Sequence, residues 1–102
     1  MTGKNARQVE RLTKVRKKSS NREQLRRDFY AAIDAEQFDL REAVHAFRLM
    51  LGMNQHEFAA YAEISPRILM AFEQGRGNPT MATVAKLLKG SGLILRPVRR
   101  RK

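Results

Sequence analysis

Asn54-Gln55-His56-Glu57-Phe58-Ala59-Ala60-Tyr61-Ala62-Glu63-Ile64-Ser65-Pro66-Arg67-Ile68-Leu69-Met70-Ala71-Phe72-Glu73-Gln74-Gly75 reads as two short helices joined by a tight turn. Asn54 offers a short side-chain oxygen to the free N–H groups of a first helical turn, and Phe58, Ala59 and Ala62 then turn inward. Ser65 repeats the start signal. Pro66 falls at the first helical position, where its missing N–H costs nothing. Leu69 and Phe72 form the buried side of this second helix, and Gly75 ends it. Ala59 is small enough to let neighbouring helices approach closely, whereas a larger side chain there would force them apart.

Working outward, Asp39 caps a helix whose apolar face is Leu40, Val44, Phe47 and Leu51, running up to Gly52. Before it, Ser20 and Glu23 have the spacing of a capping box, and Leu25, Phe29 and Ile33 recur every fourth residue, which predicts a helix over 21–33. On the other side, Gly75-Arg76-Gly77-Asn78-Pro79 is dense in turn residues. Thr80 then caps a helix with Met81, Val84, Leu87 and Leu88 as its apolar positions, ended by Gly90. Leu93-Ile94-Leu95 is short, apolar and β-favouring, and Pro97 suits a strand end. Two outcomes are open for it: pairing with the same strand of a second copy about a twofold axis, or packing back on the core as an extended tail. The fold class expected is all-α, with five helices and a short C-terminal strand.

The 102 residues have room for one domain, and their net charge of +11 is unevenly placed. Residues 1–27 hold ten Lys or Arg against two Glu, residues 28–95 hold six against eight acids, and residues 96–102 hold five and no acid. The expected organisation is a basic, disordered arm over 1–18, a domain over 19–95 and a basic tail over 96–102. Val9, Leu12 and Val15 hint at a helical stripe in the arm. Such arms neutralise the phosphates of a polyanion and release its counterions.

There is no cysteine, which excludes disulfides and thiolate-bound zinc. His45 and His56 are eleven apart with no acidic cluster between them, so no metal and no cofactor are expected. The longest apolar run, Ile68 to Phe72, is far too short to span a bilayer, and the N-terminus lacks a secretory apolar segment. A cytoplasmic, nucleoid-associated protein without membrane contact is expected. Nothing resembles a phosphate loop or a nucleophile with its base, so an enzyme is not.

From Leu40 to Leu93, about half of the chain, the sequence resembles the lambda-repressor/Cro-like helix-turn-helix family, often called the Xre family. The resemblance is carried by Arg48, Gly52, Met53, Asn54, Gln55, Phe58, Ala59, Ile64, Ser65, Leu69, Phe72, Glu73, Gly75, Asn78 and Pro79, in register and without a gap. The departure is Glu63, where the family usually has glycine in the turn. The resemblance implies a lambda-repressor-like domain that binds double-stranded DNA, with an ion pair between Arg48 and Glu73. It also implies that the helix over 65–74 enters the major groove and presents Pro66, Arg67, Met70 and Ala71 to base edges. Of these only Arg67 suits the bidentate contact to guanine, while the other three suit thymine methyls. Gln55, at a helix start, resembles the family glutamine that reaches a phosphate, and Asn54, Ser65, Arg76 and Asn78 are the further candidates for backbone contact.

Three functions compete. The first is a dimeric, autoregulatory repressor joined through Leu93, Ile94 and Leu95. The second is an antitoxin that also represses its own operon; in it the helix over 21–33, with Phe29 and Tyr30, either holds a toxin or simply covers the core. The third is a sequence-independent nucleic-acid binder dominated by its tails.

Overall fold

A computed structural model of the chain describes residues 21–99. The arm over 1–18, with its Val9, Leu12 and Val15 stripe, lies outside the described residues, as do Ser20 and residues 100–102.

Every helix but the first starts where a side chain accepts from the unpaired N–H groups of its first turn. Five are formed among the described residues: α1 (Arg22–Asp34), α2 (Leu40–Leu51), α3 (Gln55–Ala62), α4 (Pro66–Glu73) and α5 (Met81–Leu87). Asp39 and Asn54 each head a complete capping box, the partners being Glu42 and Glu57, whose carboxylates accept from the cap residue's own N–H. Ser65 and Thr80 accept from the N–H groups of Ile68 and Thr83. The start of α1 differs from expectation: Asn21 occupies the cap position and makes no side-chain cap bond.

The helices pack α1 on α2, α2 on α4 and α3 on α4. Phe29, Val44, Phe47, Phe58, Leu69 and Leu87 are wholly enclosed. The ring of Phe47 lies 5.9 Å from that of Phe29 and 6.0 Å, edge to face, from that of Phe58, so aromatic contacts run from α1 through α2 to α3. Phe29 is therefore a core residue and offers nothing to a toxin. Its neighbour Tyr30 donates a 2.6 Å hydrogen bond to the carbonyl of Ser91, and Tyr61 donates one of 2.8 Å to that of Lys89. Two tyrosines thus tie the turn after α5 to α1 and α3.

Two further expectations are corrected. Met81 is 73% exposed: a helix of only seven residues buries Val84 and Leu87 and leaves its first turn in solvent. The strand expected over Leu93 to Leu95 is absent among the described residues, because a strand needs a backbone partner and the helices offer none. Leu93 instead packs against the core, while Ile94, Leu95 and Val98 are exposed.

Glu63 keeps the tight turn that glycine normally provides. It sits in the left-handed region at φ 63°, ψ 45°, and its N–H still bonds back to the end of α3. Glu63 thus supplies the left-handed step of the turn between α3 and α4.

Candidate nucleic-acid interface

The centre of this region is the far end of α4, where Glu73 meets side chains from two other helices. Arg48 of α2 grips its carboxylate in bidentate fashion, Nε to Oε2 at 2.7 Å and Nη2 to Oε1 at 3.0 Å. The two side chains are 10% and 7% exposed, so water hardly screens the pair. Arg48 Nη1 also donates to the carbonyl of Met53, at 3.1 Å. Gln55 Nε2 donates to Glu73 Oε1 at 3.0 Å. His45 Nδ1 stands 3.4 Å from Glu73 Oε1 and 3.3 Å from Arg48 Nη2. A guanidinium nitrogen only donates, so this ring nitrogen serves one partner at a time: bare, it accepts from Arg48; protonated, it donates to Glu73. Burial pushes the Glu73 carboxyl up, but the hydrogen bonds from His45, Arg48 and Gln55 and the charge of Arg48 outweigh it, holding the group at about 2.

This cluster fixes how α2, α3 and α4 sit together, and so fixes the outer face of α4. On that face Pro66, Met70 and Ala71 are half-buried and Arg67 is exposed. Arg67 makes no hydrogen bond or ion pair to any described residue, in contrast to Arg76, which bonds to Gln74 Oε1. Asn78 is exposed in the loop that follows.

The remaining candidates for phosphate contact already hold structural bonds. The carbonyl oxygen of the Asn54 side chain and the hydroxyl oxygen of Ser65 act as cap acceptors. Their own N–H and O–H donors are not consumed by that role, and Gln55 has a second amide hydrogen beyond the one given to Glu73. Dual use of this kind is feasible at all three.

Several features were not anticipated. Arg41, at the start of α2, reaches across to the carbonyl of Glu73 and borders Gly75, which adds a cation beside the loop after α4. Ile68 on α4 is 46% exposed. It helps line a cleft of about 240 Å³ between α4, the loop and α5, together with Ala71, Phe72, Arg76, Asn78 and Thr83. That volume is below the usual range for small-molecule sites. Helical periodicity marks Leu69 and Phe72 as inward but leaves Ile68 undecided; Arg41 carries no sequence signal, because its position depends on the packing of α2 on α4.

Among the described residues no three His, Asp or Glu side chains converge on a metal-sized position, and no helix is long and apolar enough to cross a membrane.

No curated protein and no solved structure matches the chain. Residues 44–90 match the helix-turn-helix family model, a span that begins in α2, contains α3, the Glu63 turn and α4, and ends beyond α5. With most of α2, all of α3, α4 and α5 and the exposed outer face of α4, this part of the chain is similar to the lambda-repressor/Xre-like helix-turn-helix family of DNA-binding regulatory domains.

Proposed function

We propose that the protein is a sequence-specific, dimeric transcriptional repressor that places α4 in the major groove, with its own upstream region as the first operator to test. The observation that carries this is Arg67: an exposed cation on the outer face of α4 that the fold leaves without a partner among the described residues. Around it, Pro66, Met70 and Ala71 supply apolar contact. Asn54, Gln55, Ser65, Arg76 and Asn78 flank α4 with donors for phosphate oxygens. The basic segments over 1–18 and 96–102 add sequence-independent attraction.

A second copy accounts for the exposed apolar side chains that follow the last helix. Ile94 is 80% and Leu95 is 47% exposed, a poor arrangement for a lone chain and a suitable one for pairing about a twofold axis. Leu93, held against the core, anchors the start of that segment. The same exposed residues also suit a toxin partner, so a toxic reading frame beside the gene would favour the antitoxin reading.

The test is binding of the full chain, across a salt series, to its own upstream DNA and to a scrambled duplex. A preference of about a thousandfold supports an operator-specific regulator. Arg67→Ala is expected to relax the sequence preference, whereas Arg76→Ala weakens binding to all sequences alike and lowers the salt slope by about one. If both variants lose affinity uniformly, base reading by Arg67 is refuted. Equal, steeply salt-dependent binding to many unrelated duplexes would instead mark a sequence-independent binder.

A further inference from the structure

We propose that the outer face of α4 reads the C5-methyl group of a pyrimidine next to a guanine, so that a T-G step and a 5-methylcytosine-G step are equivalent to this protein. The inference rests on the major-groove placement of α4 and names the chemistry that the groove must display there.

Arg67 is exposed and unpaired among the described residues, so its paired donors are free for guanine O6 and N7. Residues three and four positions along a helix share its face, which sets Met70 and Ala71 beside Arg67. Ile68, 46% exposed, extends this apolar surface around the helix, and with Ala71 and Phe72 it lines the cleft towards α5. Arg76 and Asn78 also line that cleft and offer donors to a DNA strand passing over it.

Base-pair edges in the major groove present donors, acceptors and one apolar group, the pyrimidine C5-methyl. A donor or acceptor pressed against Ile68 or Met70 would lose its water and gain no partner. The methyl group loses nothing there, and the flexible thioether of Met70 adapts to its position. The same surface cannot tell thymine from 5-methylcytosine. The two differ at the 4-position, an acceptor in one and a donor in the other, and Pro66, Ile68, Met70 and Ala71 bring no polar side-chain atom to test it.

The experiment begins by selecting preferred duplexes from a random library with the full chain. Each thymine of the selected duplex is then replaced in turn by uracil, which lacks only the methyl group. At the thymine beside the guanine that Arg67→Ala ceases to discriminate, the loss is expected to be about fourfold, the ratio that about 0.8 kcal/mol per buried methyl corresponds to. Changing that T·A pair to C·G weakens binding, and 5-methylation of the new cytosine restores about fourfold. In the Ile68→Ala, Met70→Ala double variant the thymine-to-uracil ratio falls to one, with thermal unfolding as the check that the fold persists.

Sequence-specific binding that stays within twofold at every uracil replacement overturns the inference and leaves the major-groove placement intact. A ratio that survives in the folded double variant also overturns it, since the methyl group is then read elsewhere. A library that yields no preferred sequence removes the placement itself, and the inference with it.

Discussion

Replacing Glu73 by leucine removes the carboxylate that Arg48 holds through two hydrogen bonds, of 2.7 and 3.0 Å, and strands an arginine whose side chain is 10% exposed. Its remaining contacts are the Met53 carbonyl and His45. Stranding a buried charge in this way costs about 3–5 kcal/mol. A domain of this size has a total stability of roughly 4–12 kcal/mol, so the variant is expected to lose a large part of it. Its melting temperature should fall by at least about 12 °C, at about 4–8 °C per kcal/mol. Arg48→Met strands Glu73 instead and should cost a similar amount. The double variant, with no buried charge left, is expected to come within about 1 kcal/mol of the parent, because replacing a whole buried pair by apolar groups is close to neutral.

The assay is urea unfolding followed by circular dichroism for all four proteins. Single variants that cost less than about 1 kcal/mol, or a double variant that loses the sum of the two, would refute the account of a desolvated pair. The same cycle has a signature in pH. The Glu73 carboxyl sits at about 2 in the fold against an ordinary value of 4.5. A carboxyl depressed by folding contributes stability that is complete above pH 4.5 and is lost as pH falls towards 2. That contribution is about 3 kcal/mol. Glu73→Gln should lack this segment of acid sensitivity.

Gly90→Ala should destabilise by about 2 kcal/mol in urea: a Cβ there would run into Tyr61 Oη and break its bond to Lys89, at a backbone position of φ 77°. Glu63→Gly should stabilise by about 0.5–1 kcal/mol, read as a rise in melting temperature, by relieving a left-handed residue at φ 63°. Phe29→Ala should cost about 3–5 kcal/mol in the same unfolding assay, as expected of a wholly enclosed ring, whereas a toxin-contacting role would leave stability nearly unchanged.

What was legible in the chain follows the range of each interaction. Asp39, Asn54, Ser65 and Thr80 cap their helices through bonds to residues three positions away, so their neighbours alone identify them. The inward faces of α2, α3 and α4 follow from helical spacing for the same reason. Met81 misleads because spacing marks a stripe without saying how far the neighbouring helices extend to cover it. The grouping of His45, Arg48 and Gln55 around Glu73 depends on the packing of three helices, and nothing in the local sequence distinguishes Gln55 as a partner of Glu73 from Gln55 as a surface amide. The Tyr30 bond to Ser91 spans sixty-one positions, beyond any periodicity. Segment 93–95 shows a limit of another kind: its β-favouring composition is real, but a strand is a property of a pair, and the described chain offers no second edge.

The charged groups around α4 differ in how far the fold commits them. Arg48 is committed to Glu73, Arg41 reaches the Glu73 carbonyl, Arg76 bonds to Gln74, and Lys86 Nζ lies 3.4 Å from the carbonyl of Glu63 in the turn before α4. Arg67, the one cation within α4, takes no part in this bracing. A buried pair is a weak contributor to net stability when measured against apolar side chains of equal volume. Its directional bonds do what apolar contact cannot: they fix α2, α3 and α4 in one arrangement, with Gln55 tied to the same carboxylate. A surface held rigid before binding avoids much of the ordering entropy of association. The Arg48–Glu73–Gln55 cluster braces the helix that carries Arg67 while leaving the Arg67 side chain itself uncommitted.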